Sequence, residues 1–155
     1  MRIQTCQLLT AACRETDSVI RWGGEEFMVL ARNLSRPDLG ALCERIRQAV
    51  EGHEFRVGSE APLHLTCSAG AAVFPFLPDF PEACDWERVL EIADTCLYAA
   101  KRSGRNAWVW VVSTDRACPE TLPPDLPRRI EDLAQAGLLK GHSSLPPGTA
   151  IRWPN

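Results

Sequence analysis

The chain has no strong excess of charge, no membrane-length apolar run and no signal-peptide pattern. Its 155 residues carry a formal net charge of −3, which provides no general basic field for a nucleic acid polymer. No apolar stretch approaches the length that crosses a bilayer, and the first residues lack the continuous apolar core of a signal peptide. We therefore expect no nucleic acid partner and no membrane segment in this chain.

Paired cysteine motifs are also missing. The seven cysteines are scattered singly, without any Cys-x-x-Cys pair, and several fall within apolar stripes. This distribution argues against a disulfide scaffold or a zinc site, and it predicts small core residues in a reducing, cytoplasmic environment. The hydrophobic fraction of 45% and the charged fraction of 24% are typical of an ordinary globular domain.

The most informative stretch is a pair of glycines followed by a pair of glutamates. Gly23 and Gly24 separate two short runs of β-forming residues, Ser18–Trp22 and Phe27–Ala31. Glycine tolerates the positive φ of tight primed turns, so the pattern predicts a β-hairpin with two carboxylates, Glu25 and Glu26, at its tip. Adjacent carboxylates repel each other unless a cation lies between them, and a divalent metal ion is the usual solution. An ordinary solvated hairpin is the alternative.

Segments with helical or strand periodicity precede and follow this hairpin along the chain. Apolar stripes predict three helices, with Ser35 and Asp85 as N-caps of the second and third and glycines at their C-terminal ends, and alternating or continuous apolar runs predict further strands. The predicted helices cover residues 3–13, 35–52 and 85–104, and the predicted strands cover residues 63–69 and 107–112.

From Ser113 onward the character of the sequence changes, because prolines crowd a polar segment. We expect residues 113–155 to form an extension of low order without chemistry of its own. One short helix could form within residues 128–139.

Five charged residues outside the hairpin allow an ordinary interpretation. Arg14 and Asp17 could be the polar end of the first helix, with Asp17 closing the turn, and Arg45 could be a solvated surface arginine. Lys101 and Arg105 lie near a predicted helix C-terminus, where the helix dipole favours cations without any ligand.

Together, however, the ordered motifs resemble the GGDEF domain family, the diguanylate cyclases, in its GGEEF variant. The resemblance runs from about residue 3 to residue 112. Its motifs are Arg-x-x-Asp at residues 14–17, Arg-Trp-Gly-Gly-Glu-Glu-Phe at 21–27, Cys-Glu-Arg-Ile-Arg at 43–47, Leu-Thr-Cys-Ser-Ala-Gly at 65–70 and Ala-Asp-x-x-Leu-Tyr-x-Ala-Lys-x-x-Gly-Arg-Asn at 93–106. The fold implied is α/β in the loose sense: a mainly antiparallel sheet with packed helices, like nucleotidyl cyclases.

The resemblance implies a reaction and its metal ion. Diguanylate cyclases condense two GTP molecules into cyclic di-GMP and release pyrophosphate, using Mg²⁺ or Mn²⁺. By resemblance, Glu25 is a metal ligand and the catalytic carboxylate, and Glu26 supports the site.

The resemblance also implies how GTP is held. Gly23 and Gly24 leave room for the nucleotide against the backbone, while Lys101 and Arg105 hold its phosphates. Each domain carries one GTP, so a homodimer of GGDEF domains is expected.

A separate product site is implied by Arg14, Asp17 and Arg45. These positions match the inhibitory site at which the family binds cyclic di-GMP. Arginine suits both phosphates and guanine edges, and a carboxylate can accept hydrogen bonds from guanine N–H groups.

The sequence departs from the family pattern at its beginning. Family members normally have a strand and a helix before the segment that here starts at Met1, and these carry an aspartate that shares the metals and residues that bind phosphate and guanine. We therefore expect residues 1–112 to form a GGDEF domain that lacks its first strand and helix. Two alternatives to the cyclase remain open: a catalytically inactive receptor of cyclic di-GMP, and an interaction remnant that pairs with a complete GGDEF domain.

Overall fold

Helices and short strands alternate along the chain in a computed structural model that describes residues 1–58 and 61–154. The chain divides into two compact units, Met1–Cys67 and Ser68–Asn155. Among the described residues, no helix has both the length and the apolarity needed to cross a bilayer. The mixed arrangement of helices with mainly antiparallel strand pairs confirms the predicted fold class.

The first unit consists of two helices and two antiparallel strand pairs. Its elements are α1 (Arg2–Ala12), β1 (Ser18–Gly23), β2 (Glu26–Leu30), α2 (Arg36–Glu51), β3 (Glu54–Phe55) and β4 (Leu63–His64). The strands β1 and β2 form the predicted hairpin, and β3 pairs with β4.

Local signals explain the bounds of α2. Ser35 is the N-cap, Pro37 lies in the first turn, where its missing N–H has no cost, and Gly52 is the C-cap that follows Glu51. Its buried side chains follow helical spacing and include Leu39 and Leu42. This face packs against α1, so the two helices share the core of the first unit.

The second unit contains a three-stranded sheet with helices packed on it. Its elements are β5 (Ala69–Ala71), α3 (Trp86–Arg102), β6 (Trp108–Ser113), α4 (Ile130–Gln135), β7 (Leu139–Ser143) and two 3₁₀ turns at Pro119–Thr121 and Leu126–Arg128. The strand order is β5-β6-β7, with β5 parallel and β7 antiparallel to β6.

A glycine in β5 allows α3 to pack closely against the sheet. A Cβ added to Gly70 would lie 2.1 Å from the backbone nitrogen of Leu97 and 2.2 Å from the carbonyl oxygen of Ala93. No side chain fits in this space, because both atoms belong to the helix backbone. Gly70 therefore fixes the distance between β5 and α3, the helix that carries Lys101 at its C-terminal end.

The region after Ser113 differs from the expectation of low order. Within the described residues 113–154 it forms β7, α4 and both 3₁₀ turns, and it contributes several side chains to the core of the second unit. Leu126 is fully buried, and Ile130, Leu139 and Trp153 are also buried. The prolines lie largely in turns and at the starts of 3₁₀ turns, where their fixed φ is compatible with order.

The cysteines follow the prediction only in part. Cys43, Cys84 and Cys96 are buried, as expected for small core residues, and burial raises the pKa of the Cys43 thiol to about 12. Cys6, in contrast, is exposed on α1.

Candidate functional site

The Gly-Gly-Glu-Glu stretch lies at the turn of the β1–β2 hairpin. Strand pairing runs from Ser18 opposite Leu30 to Gly23 opposite Glu26, with an irregularity just before Gly23. Gly24 has a φ of +50°, which favours glycine, and its carbonyl oxygen accepts a hydrogen bond from Nη2 of Arg21 at 3.1 Å. The local backbone thus explains why glycine occupies this turn.

The two glutamates at this turn are exposed and adjacent. A Cβ added to Gly23 or Gly24 would meet no atom within 4 Å, so the space beside the two glycines is open, and Glu25 and Glu26 next to them are exposed. Among the described residues no group of three or more His, Cys, Asp or Glu side chains forms a metal site. Two carboxylates nevertheless fit Mg²⁺, because this ion is commonly bound by one or two carboxylates together with substrate phosphates and water.

A second cluster lies where α1 leads into β1. The carboxylate of Asp17 accepts a hydrogen bond from the backbone N–H of Arg14 at 2.9 Å and another from the backbone N–H of Arg32 at 3.1 Å. Asp17 therefore closes the turn before β1 and also holds the chain just after β2. A carboxylate has about four lone-pair positions, so each oxygen keeps the capacity for a ligand.

Charge and hydrogen bonding favour the ionised form of Asp17. The N–H of Arg14 has the largest effect in lowering the pKa of the Asp17 carboxyl, followed by the N–H of Arg32. The guanidinium groups of Arg14 and Arg45 lower this pKa further. The predicted trio is therefore brought together around one negative charge.

Arg45 reaches this cluster from α2. Its Nε donates to the carbonyl oxygen of Ala12 at 2.6 Å, which links α2 to the last residue of α1. A guanidinium has five N–H donors, and this bond uses one of them. The planar group is thereby oriented while further donors remain for an anion or a guanine edge.

Lys101 and Arg105 belong to the second unit, at the C-terminal end of α3 and in the turn that follows. The helix ends at Arg102 with Ser103 as its C-cap, and three successive residues then have positive φ: Gly104 at +120°, Arg105 at +60° and Asn106 at +46°. A left-handed arginine costs roughly 1–2 kcal/mol, so the surrounding contacts must stabilise this backbone. The turn leaves Arg105 exposed.

Within the first unit, the structure places the predicted residues in two separate groups. It places Glu25 beside Glu26 at the hairpin turn, and it gathers Arg14, Asp17 and Arg45 near the end of α1. The hydrogen bond from Arg32 to Asp17 was not predicted, because a backbone donor can come from any residue type and leaves no sequence signal.

Comparison with known proteins identifies the family. The sequence model of the family described as "Diguanylate cyclase, GGDEF domain" matches residues 3–107. This chain belongs to the GGDEF domain family. The matched region contains the hairpin, the Arg14 cluster and the α3 turn, so all predicted site residues of this GGDEF domain lie within it.

Individual relatives agree with this assignment. The GGDEF chain is 39% identical over 93 residues to the diguanylate cyclase DosC of Escherichia coli K12, a match that covers 60% of this chain and 19% of DosC. It thus spans about a fifth of that relative's length.

Solved structures also resemble it. The GGDEF domain of YfiN from Pseudomonas aeruginosa has a TM-score of 0.58 and 28% identity, over 68% of this chain and 62% of that one. The GGDEF domain of DgcB from Caulobacter crescentus, solved in complex with c-di-GMP, has a TM-score of 0.50 and 25% identity, over 66% and 60% of the respective chains.

Proposed function

We propose that this GGDEF domain is a diguanylate cyclase, which condenses two GTP molecules into cyclic di-GMP. The observation that carries the proposal is the hairpin turn, where Glu25 and Glu26 lie exposed beside two glycines with open space around them. In this reaction the 3′-hydroxyl of each GTP forms a bond to the α-phosphorus of the other. The bond to the β-phosphate breaks, and pyrophosphate leaves.

In this proposal the acidic residues of the chain bind the metal ion and the basic residues bind the phosphates. Glu25 and Glu26 would hold Mg²⁺ or Mn²⁺, which neutralises triphosphate charge and activates the hydroxyl group. Lys101 and Arg105 would bind phosphate oxygens. One nucleotide per domain requires two domains to face each other, so the working form is a homodimer.

The experiment that tests this proposal compares GTP conversion by the parent chain and by Glu25→Gln at saturating Mg²⁺. We expect cyclic di-GMP from the parent and a loss of at least 100-fold in rate for Glu25→Gln, because the substitution removes the charge that holds the metal ion. Glu54→Gln is the matched control: it makes the same charge change on an exposed glutamate of the same unit and should leave the rate unchanged. Equal rates for parent and Glu25→Gln would contradict the role of Glu25.

A second function is favoured by the cluster of Arg14, Asp17 and Arg45, which we propose binds the product cyclic di-GMP and inhibits turnover. Three features support this: the ionised carboxylate of Asp17, the guanidinium of Arg45 oriented by its bond to Ala12, and both arginines close enough to Asp17 to lower its pKa. The c-di-GMP complex of the DgcB domain is consistent with a ligand of this chemistry.

Calorimetric titration with cyclic di-GMP tests this second function. Arg14→Ala should weaken binding at least tenfold, because it removes a charged donor, whereas Glu25→Gln should leave affinity unchanged. Arg2→Ala, an exposed arginine at the start of α1, is the control. Binding that Arg14→Ala does not alter would contradict the assignment.

A further inference from the structure

The C-terminal extension contacts the turn that carries Arg105, although it lies beyond the residues matched by the family. The backbone N–H of Arg152 donates to Oγ of Ser103 at 2.9 Å, at the end of α3. Oγ of Ser144 accepts from the backbone N–H of Trp108 at 2.9 Å, and the N–H of Ser144 donates to the carbonyl of Trp108 at 3.1 Å, at the start of β6. The extension therefore forms hydrogen bonds with Ser103 and Trp108, one on each side of the turn.

The segment between these two attachment points has an unusual backbone. Gly104, Arg105 and Asn106 all have positive φ. A run of left-handed residues that includes an arginine persists only where neighbouring contacts determine it. The bonds to Ser103, which directly precedes the run, and to Trp108, two residues after its end, are contacts of this kind.

The extension is itself anchored, so it can hold the turn. Trp153 is buried in the core of the second unit. A Cβ added to Gly141 would lie 3.3 Å from Cδ1 of Ile151 and 3.5 Å from Cζ2 of Trp153, which shows that the end of the chain packs over β7. Arg152 lies between these two packed residues and is held in place by them.

We propose that residues 144–153 form a clasp that fixes the α3–β6 turn and so positions Arg105 for phosphate binding. The phosphate part of this inference rests on the proposed function. Ser103 and Ser144 are positioning residues, since they act through the backbone of the turn. The extension thus supports the nucleotide site of this chain from outside the matched region.

The test uses the full chain with Ser103→Ala and Ser144→Ala combined, which removes one hydrogen-bond acceptor at each attachment point. We expect amide hydrogen exchange in peptides spanning residues 101–108 to become about fivefold faster, the factor equivalent to one net hydrogen bond. Ser143→Ala, a substitution at the neighbouring position in β7, should leave this exchange unchanged. The combined Ser103→Thr and Ser144→Thr variant keeps both hydroxyls and should retain the slow exchange of the parent. Unchanged exchange in the double variant overturns the proposal.

Titration with inorganic tripolyphosphate tests the positioning role. The double variant should bind this probe about fivefold more weakly than the parent, and it should cause no further loss when Arg105→Ala is already present. Faster exchange with unaltered affinity would overturn the positioning role. If the parent does not bind tripolyphosphate, the phosphate role of Arg105 in the proposed function is wrong, and the exchange result alone decides whether the clasp fixes the turn.

Discussion

Asp17 combines a structural role with a proposed ligand-binding role. Its carboxylate accepts hydrogen bonds from the N–H groups of Arg14 and Arg32, and the positive charges of Arg14 and Arg45 help to lower its pKa. The ordinary interpretation, an aspartate that closes a turn, is therefore confirmed by geometry and is compatible with the proposed product site. A substitution here should affect stability as well as binding.

The stability effect of Asp17 should depend on pH. Because folding lowers the pKa of this carboxyl, its contribution is present above the ordinary carboxyl pKa and is lost as pH falls through the lowered value. Asp17→Ala should therefore be less stable than the parent at about pH 7, and the difference should start to narrow once pH falls below about 4 and keep narrowing as pH passes the lowered pKa. Urea unfolding at several pH values measures this.

Asp115→Ala provides the control for that series. Asp115 is an exposed aspartate in a turn, and its replacement should change the free energy of unfolding little at any of these pH values. A difference in the free energy of unfolding between Asp17→Ala and the parent that stays constant down to about pH 2 would contradict a stabilising role for the ionised carboxylate.

The elements nearest the candidate site were largely predictable from local chemistry. The glycine pair between β-forming runs predicted the hairpin, and Asp85 was predicted to cap α3, where its carboxylate accepts from the N–H of Arg88 at 2.9 Å. Ser35 was predicted as the α2 cap and is the N-cap, but its hydroxyl donates to the Asp38 carboxylate instead of capping a backbone N–H.

The extension after Ser113 was not predictable in the same way. Its helix α4 lies within residues 128–139, where a short helix was predicted, but it is only six residues long, and its strand β7, which was not predicted, reads Leu-Lys-Gly-His-Ser, with little apolar alternation. Its order comes from pairing with β6 and from separate apolar side chains that enter a core made by other elements. Such long-range contacts leave no local period in the sequence.

The extension should contribute measurably to stability. Leu126 is fully buried in the core of the second unit, so Leu126→Ala should lower the free energy of unfolding by about 3 kcal/mol through lost burial and a cavity. Thr149→Ala, at an exposed position of the same extension, should change it by less than about 0.5 kcal/mol. Chemical denaturation of both variants checks this, and equal stabilities would mean that the extension does not pack as described.

At the scale of the whole molecule, the proposed residues belong to two units of one chain. The hairpin and the Arg14 cluster lie in the first unit, and Lys101 and Arg105 lie in the second. The proposed reaction adds a further requirement, because a cyclic dinucleotide with two identical halves needs two nucleotides and hence two domains. Catalysis should therefore depend on association between chains.

The most direct test of the cyclase proposal is the rate of cyclic di-GMP formation from GTP and Mg²⁺, measured by anion-exchange chromatography at increasing chain concentration. At concentrations where chains are mostly separate, the rate per chain should rise in proportion to chain concentration, and it should reach a plateau once pairs predominate. Absence of cyclic di-GMP at every concentration would contradict the proposal that this chain is a cyclase. A rate per chain that does not vary under these dilute conditions would contradict catalysis by paired domains.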